Sequence, residues 1–340
     1  MFVSKKKAKK RGGGFVSFII GLLSVCAFAV LLFCASQLVS KMVEYRESDE
    51  AFSEIKDSMV VSYDEAAALE RVTDDTVEVI EAHTIDLEKG LEAEVLTDIP
   101  EDAVQIDWDK YSGTEIVAWF QMDKISYPIM QHSDNDYYLH RLPDGSYNFG
   151  GSLFLLNHNN PMFTDQSSFV YGHNMNNGSM FGSLRHCTTS DYKGHHFYIY
   201  LPDGTRHVYR FFSVATVFQE SKAYTYSFES EKTFLDWQQW MLDQSKFDTG
   251  EKVSPNSRFV TLSTCNGLSG TNHRLVVCGI EERIEQLQMP AGWYGNYLKQ
   301  YNDRNAERAV KASAVLDDLE AVQASKRDSL WNAYMGYNDL

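Results

Sequence analysis

The sequence predicts a mainly β domain, a closed or nearly closed barrel with helices on its outside, carried behind a single apolar helix. Three observations predict it. From about Val104 onward, strand-like runs follow one another with turn signals between them. One long amphipathic helix interrupts them, over Glu229 to Ser245. Phe15 to Val39 is uncharged and mostly apolar. Many strands with few helices favour a sheet that closes on itself.

Residues 1–13 form a basic tail, with Lys5, Lys6, Lys7, Lys9, Lys10 and Arg11. Residues 14–39 read as a transmembrane anchor. As a helix, the run from Phe15 spans roughly 37 Å at 1.5 Å per residue, against a hydrocarbon core of about 30 Å. The basic cluster ahead of it predicts a cytoplasmic N-terminus and an extracytoplasmic bulk. A cleaved signal peptide is the rival reading, and Ala27-Phe28-Ala29 resembles a cleavage site. The apolar run nevertheless continues ten residues past it, longer than a signal h-region. Phe33 before Cys34 argues against a lipidated cysteine.

Residues 40–103 read as an acidic, partly helical, extracytoplasmic stalk. Residues 41–102 hold twenty acids against five bases. Ile55, Met59 and Val60, then Ala67, Leu69 and Val72, recur at loosely helical spacing.

The domain itself spans 104–283. Strands are predicted at Glu115–Met122, Ile125–Met130, Ser152–Leu156, Phe169–Gly172, His196–Leu201, Arg206–Phe218, Arg258–Thr264 and Arg274–Ile280. Asp203-Gly204 between two aromatic runs signals a hairpin. Phe234, Trp237, Met241 and Leu242 give the Glu229–Ser245 helix one apolar face. Shorter helical turns are predicted at Gly178–Leu184 and around Asp134–His140. Residues 284–340 read as a helical C-terminal extension, broken at Met289-Pro290-Ala291-Gly292 and helical over Glu307–Leu330.

The net charge of −16 disfavours nucleic acid as a partner. Of the five cysteines, Cys26 and Cys34 fall in the apolar helix, leaving Cys187, Cys265 and Cys278, an odd number outside it. No CxxC pair and no His/Cys cluster with zinc spacing occurs, so no metal or other cofactor is predicted.

Cys265 is the candidate nucleophile. It ends the run Phe259–Cys265 and precedes the loop Asn266-Gly267-Leu268-Ser269-Gly270. If Phe259–Cys265 and Arg274–Ile280 pair as an antiparallel hairpin, Cys265 and Arg274 fall opposite each other on one face. A guanidinium there favours a thiolate, and equally the oxyanion that forms when a thiolate attacks a carbonyl. Cys278, mid-strand, reads as packing, and Cys187 has no such neighbours. Three histidines compete as proton carrier: His173, where a strand gives way to a Gly/Asn-rich turn; His273, beside Arg274; and His158, in a polar loop. Thr261 and Ser263 share the face of Cys265 by alternation and are candidate groove residues, as are Asn174 and Asn266 more weakly; strand or turn chemistry explains each of them equally well.

These residues carry a resemblance. TLSTC at 261–265, with YGHNM upstream at 171–175 and HRLVVCG downstream at 273–279, resembles the sortase family of cysteine transpeptidases. The segment Tyr171–Leu184, the helix just before the cysteine strand and the N-terminal anchor resemble its class B branch. The resemblance covers roughly residues 104–283; the stalk and the extension lie outside it. It implies the eight-stranded sortase barrel, with Cys265 as nucleophile, His173 as general acid and then base, and Arg274 holding the substrate backbone and oxyanion. It also implies the partners: surface proteins bearing a C-terminal sorting motif of NPxTx type, and an amine of the cell-wall peptide as acceptor. The setting implied is a Gram-positive-type cell membrane, with the catalytic domain outside. A pilin polymerase using a lysine amine, a non-catalytic tethered binding module and a plain cysteine peptidase remain open alternatives.

Overall fold

The computed structural model of the chain describes residues 13–61, 93–95, 100, 102–111, 113–123, 125–265 and 272–287, with backbone alone for 13–17, 93–95, 111 and 265. The basic tail, most of the stalk, the loop after Cys265 and the extension beyond 287, with its expected Glu307–Leu330 helix, lie outside the described residues.

The chain divides into two compact units, Met1–Ala51 and Phe52–Leu340. Helix α1 (Gly13–Met59) runs unbroken through residue 40, where the sequence reading places the end of the anchor. In the first unit it is long and apolar enough to cross a membrane by length and composition. Leu22, Leu23, Val30, Leu31 and Phe33 are all exposed.

In the second unit the last turns of α1 bury Phe52, Ile55 and Met59. Phe52 meets Tyr127 edge to face, with ring centroids 5.2 Å apart. The chain then forms β1 (Val60–Val61), β2 (Ala93–Val95) and β3 (Gln105–Ile106), and β1 pairs antiparallel with β3. Residues 52–61, read as stalk in the sequence, thus pack within the second unit.

Eight strands make the barrel: β4 (Ile116–Met122), β5 (Ile125–Met130), β6 (Leu153–Leu155), β7 (Ser167–Tyr171), β8 (His196–Tyr200), β9 (Thr205–Phe218), β10 (Phe259–Cys265) and β11 (His273–Gln286). Their order is β10-β7-β6-β5-β4-β8-β9-β11, and β10 pairs with β11 to close the ring. This is the closed eight-stranded barrel that the resemblance implies. β2 adds parallel to the far end of β11. Two barrel pairings are parallel, β5 with β6 and β7 with β10; the rest are antiparallel.

Local chemistry explains the connections. At the β8–β9 hairpin the Asp203 carboxylate accepts from the Thr205 amide at 2.9 Å and hydroxyl at 2.6 Å, while Gly204 takes φ +82°, a conformation that suits glycine. Helix α2 (Glu231–Asp243) begins at a capping box: Ser230 Oγ accepts from the Thr233 amide, and Thr233 Oγ1 from the Ser230 amide. Its Phe234, Trp237 and Met241 pack on Phe212, Phe259, Val276 and Cys278, so α2 covers β9, β10 and β11 from outside.

β9 and β11 pair along nearly their whole lengths, with register shifts at Cys278/Gly279 and Glu281/Arg283. A Cβ on Gly279 would lie 2.4 Å from Phe197 Cε1 and 2.9 Å from Tyr209 Cβ; glycine lets the stacked Phe197–Tyr209 rings, 5.2 Å apart, close over the strand. Beyond the shift, Glu281 is buried and accepts from Arg258 Nε at 2.5 Å. Its other oxygen lies 2.6 Å from His207 Nδ1 and accepts from Tyr209 Oη at 3.4 Å. Burial alone would raise this carboxyl; the His207 and Arg258 interactions outweigh burial and hold it below the ordinary range.

Because the folded pKa of Glu281 is depressed, its stabilisation is present above the ordinary carboxylate value and is lost as pH falls through the folded value. Replacing Glu281 by Gln leaves a buried cation without its counter-charge. We expect Glu281→Gln to lower stability by about 3–5 kcal/mol at neutral pH in urea unfolding, with the gap to the wild type narrowing as the pH is taken into the acid range.

Candidate active site

β10 lies between two partners, and this places the candidate residues. On one side it is antiparallel to β11, with Cys265 paired directly to Arg274. On the other it is parallel to β7, with Ser263 paired to Tyr171. The Gly172 amide then donates to the Ser263 carbonyl at 3.1 Å. His173 therefore leaves β7 at the level where Cys265 ends β10. Three adjacent strands deliver His173, Cys265 and Arg274 to one rung of the barrel. Of Cys265 the backbone alone is described. The opposition of Cys265 and Arg274 expected from the hairpin is the observed register.

Two glycine-sized gaps fix the turn that carries His173. A Cβ on Gly172 would lie 2.4 Å from Leu153 Cδ2 and 2.8 Å from Phe181 Cδ2, and one on Gly182 would lie 2.2 Å from the Met175 carbonyl. The Phe181 amide donates to the His173 carbonyl at 3.0 Å, so the histidine backbone is clamped from the following 3-10 helix, Gly182–Thr188.

His173 is partly buried. Its Nε2 lies 2.7 Å from the Leu139 carbonyl, and its ring stacks on His140 with centroids 5.5 Å apart. A carbonyl oxygen only accepts, so Nε2 carries the proton and Nδ1 is the basic nitrogen of the neutral ring. Burial lowers the His173 pKa below its ordinary value; the Leu139 carbonyl opposes this and His140 adds to it. Leu139 and His140 sit on the 3-10 turn Tyr137–His140. Asp134 anchors the start of that turn by accepting from the amides of Asp136 and Tyr137, each at 2.8 Å.

Arg274 is part-exposed. Its Nη1 donates to the His273 carbonyl at 3.1 Å, and its Nη2 to Gln219 Oε1 at 2.9 Å. His273 is exposed and meets Phe218 at a tilt, centroids 4.4 Å apart. His158, exposed, stacks on Tyr226. Neither competitor shares the rung of Cys265 as His173 does.

The weaker candidates divide. Ser263 is buried, and its hydroxyl lies 2.8 Å from that of Tyr224. Thr261 is fully buried opposite Cys278. Asn174 is part-exposed and bridges to Met180. Asn266 lies outside the described residues. Tyr224 stacks on Tyr171, centroids 6.4 Å apart, and Tyr171 on Phe154, so an aromatic floor runs from the β7–β10 pair. The other two thiols of the second unit are ill suited to nucleophilic work: burial pushes Cys187 and Cys278 up to about 12. Among the described residues no cluster of His, Cys, Asp and Glu is fit to hold a metal ion.

Leu139, His140, Gln219 and Tyr224 are the site's neighbours that sequence reasoning missed. His140 falls at the end of a turn the sequence does predict, and Gln219 follows directly on a predicted strand.

Residues 121–282 match the family model described as Sortase domain. The sortase B of Listeria monocytogenes is 34% identical over 155 residues, 45% of this chain and 63% of that relative; the chain thus spans under two thirds of that relative's length. The sortase B of Staphylococcus aureus is 26% identical over 171 residues, 48% of this chain and 68% of the relative. A solved structure of sortase B from Listeria monocytogenes is 31% identical, covers 51% of this chain and 98% of that one, and superposes with a TM-score of 0.46.

A neutral, partly buried His173 has a measurable signature. Its stabilising share is present above the ordinary imidazole value near 6.5 and is lost as the pH falls below it. NMR titration of ring-labelled His173 in the Cys265→Ala chain, which removes coupling to the thiol, is expected to give a midpoint below 6.5 with Nε2 protonated in the neutral form. A midpoint at or above 6.5 contradicts this.

Proposed function

We propose, from the premise that this chain is a member of the sortase family with a class B type of domain, that it is a cysteine transpeptidase of surface proteins. The observation that carries the reading is the single rung holding His173, Cys265 and Arg274 across β7, β10 and β11. We assign Cys265 as nucleophile, His173 as proton carrier and Arg274 as the donor to the oxyanion.

The chemistry runs in two balanced halves. His173 Nδ1 takes the thiol proton of Cys265. The thiolate attacks the scissile carbonyl of a sorting motif, and Arg274 stabilises the oxyanion that forms. The intermediate collapses with loss of the C–N bond. The leaving amine takes the proton from His173, and a thioester remains on Cys265. An incoming primary amine then attacks the thioester and gives up a proton to the neutral His173; the C–S bond breaks and the thiol is restored. A depressed His173 pKa suits both halves, since the ring starts as a base and has little affinity for the proton it must return. Cysteine and histidine titrate as a pair, so their pH profile belongs to both.

The finer reading is an NPxTx-like C-terminal motif as acyl donor and a cell-wall peptide amine as acceptor, with the domain held outside a membrane by α1 and the N-terminus inside. The helix's length and apolarity support the anchor, and the basic cluster before it supports the orientation.

Mass spectrometry of a pentapeptide-motif library incubated with the full chain in detergent, with and without primary amines, tests motif, reaction and acceptor together. We expect a mass-shifted acyl-enzyme on Cys265 that added amine resolves into a ligated product. Cys265→Ala should form none, and Arg274→Lys, which loses the planar fork, should lower kcat/KM by about tenfold or more. Cleavage and transfer that persist in Cys265→Ala overturn the reading. Resolution by water alone points to a peptidase, and transfer only to a lysine side chain of a protein subunit points to a pilin polymerase.

A further inference from the structure

Arg274 pairs with Val217 across the β9–β11 ladder. The residue two places on from a direct partner lies diagonally opposite on the same face of the sheet, within reach of a long side chain. Just past the end of β9 that residue is Gln219. The strands stay joined past Arg274: His273 pairs with Phe218, and the Gln219 amide donates to the Asn272 carbonyl at 2.9 Å. The Gln219 backbone is therefore set by the ladder, although its side chain is exposed.

The side chain is oriented as well. Gln219 Nε2 donates to Glu220 Oε1 at 2.8 Å, which turns Oε1 toward Arg274, and Oε1 accepts from Arg274 Nη2 at 2.9 Å. Arg274 Nη1 is bound to the carbonyl of its own neighbour, His273. An arginine side chain on a strand end has four rotatable bonds to order before its fork can meet an oxyanion. Two acceptors, one on each terminal nitrogen, remove much of that freedom in advance.

We infer that Gln219 is the positioning residue for Arg274, an acceptor just past the end of the adjacent strand that holds the guanidinium ready for the oxyanion of acyl transfer. The inference rests on the transpeptidase reading above. It predicts that the acceptor oxygen at position 219 matters and that the bulk of the side chain does not. Gln219 acts through Arg274 and touches no reacting atom.

The test compares Gln219→Ala and Gln219→Glu with the wild-type full chain in detergent, using the library peptide that the wild type cleaves best. Glutamate keeps the acceptor and alanine removes it. Gln219→Ala is expected to lower kcat by about tenfold, the value of one lost hydrogen bond to a charged group, with KM little changed. Gln219→Glu is expected to stay within about twofold of the wild type, because a carboxylate accepts from a guanidinium at least as well. Thermal unfolding of both variants should match the wild type, since the side chain is exposed. Wild-type kcat in Gln219→Ala overturns the inference, as does a Gln219→Glu variant as impaired as the alanine. A wild-type chain that cleaves no peptide sinks the underlying transpeptidase reading and takes the inference with it, so the two failures are told apart by the wild-type arm.

Discussion

Closure of the barrel through β10 is the constraint on which the rest of the structure depends. β10 sits between β7 and β11, and both of its edges are consumed. Phe259 through Thr264 are all buried. A strand covered on both faces has no place for charge, and Phe-Val-Thr-Leu-Ser-Thr carries none: its polar positions are small hydroxyl residues. Its small hydroxyl residues fit beneath neighbours: Ser263 under Tyr224, and Thr261 against Cys278. Closure removes the free edges that an open sheet would expose. The same closure brings residue 173 beside residues 265 and 274, which lie some ninety positions further along the chain.

The long β9–β11 ladder needs something to hold its register, because two register shifts interrupt it. Buried charge supplies it. Arg258, Glu281 and His207 form one cluster. Arg206 and Glu285, both almost fully buried, form an ion pair at 2.7 Å, with Tyr198 beneath the guanidinium at 4.2 Å from its ring centre. Such pairs contribute little net stability compared with well-packed apolar side chains, but a slip of one residue would strand each charge without its partner at a cost of several kcal/mol. Their weight falls on specificity. By fixing β11 against β9 they also fix where Arg274 stands, one end of the ladder being pinned by charge while the other carries the site.

Much of this was legible in the sequence, and the parts that were not share a cause. Each barrel strand shows in its own run of β-branched and aromatic residues, and the β8–β9 hairpin in Asp203-Gly204. The opposition of Cys265 and Arg274 follows from counting residues across a short loop. The parallel pairing of β7 with β10 does not, since nothing local in Phe169–Tyr171 names a partner some ninety positions away in the chain. The Leu139 carbonyl that fixes the His173 tautomer is a main-chain atom and carries no residue-type signal at all. Gln219 looks like any exposed glutamine until the ladder sets it diagonal to Arg274. The burial of Phe52, Ile55 and Met59 was hidden by the acidic composition around them, which made the segment read as a solvated stalk although those three positions fall on one helical face.

The closure also bears on why a guanidinium, rather than the main chain, is assigned to the oxyanion. A nucleophile at a helix N-terminus has unsatisfied amide groups beside it, and these serve as ready oxyanion donors. A nucleophile at the end of β10 does not. The ladder is paired up to Cys265 on the β11 side and up to Ser263 on the β7 side, where the Gly172 amide is also spent on the Ser263 carbonyl. Main-chain groups along β10 up to Cys265 are thus committed to the ladders, and in the proposed mechanism the charge that develops on the substrate is assigned to a side chain from a neighbouring strand, Arg274. Arginine fits that position because its fork reaches across one strand spacing and stays charged at every working pH. Its long side chain brings the disadvantage of freedom, and a strand end offers no packed wall to restrain it. An acceptor placed diagonally just past the end of β9, as Gln219 is, offers a restraint that leaves Arg274 part-exposed.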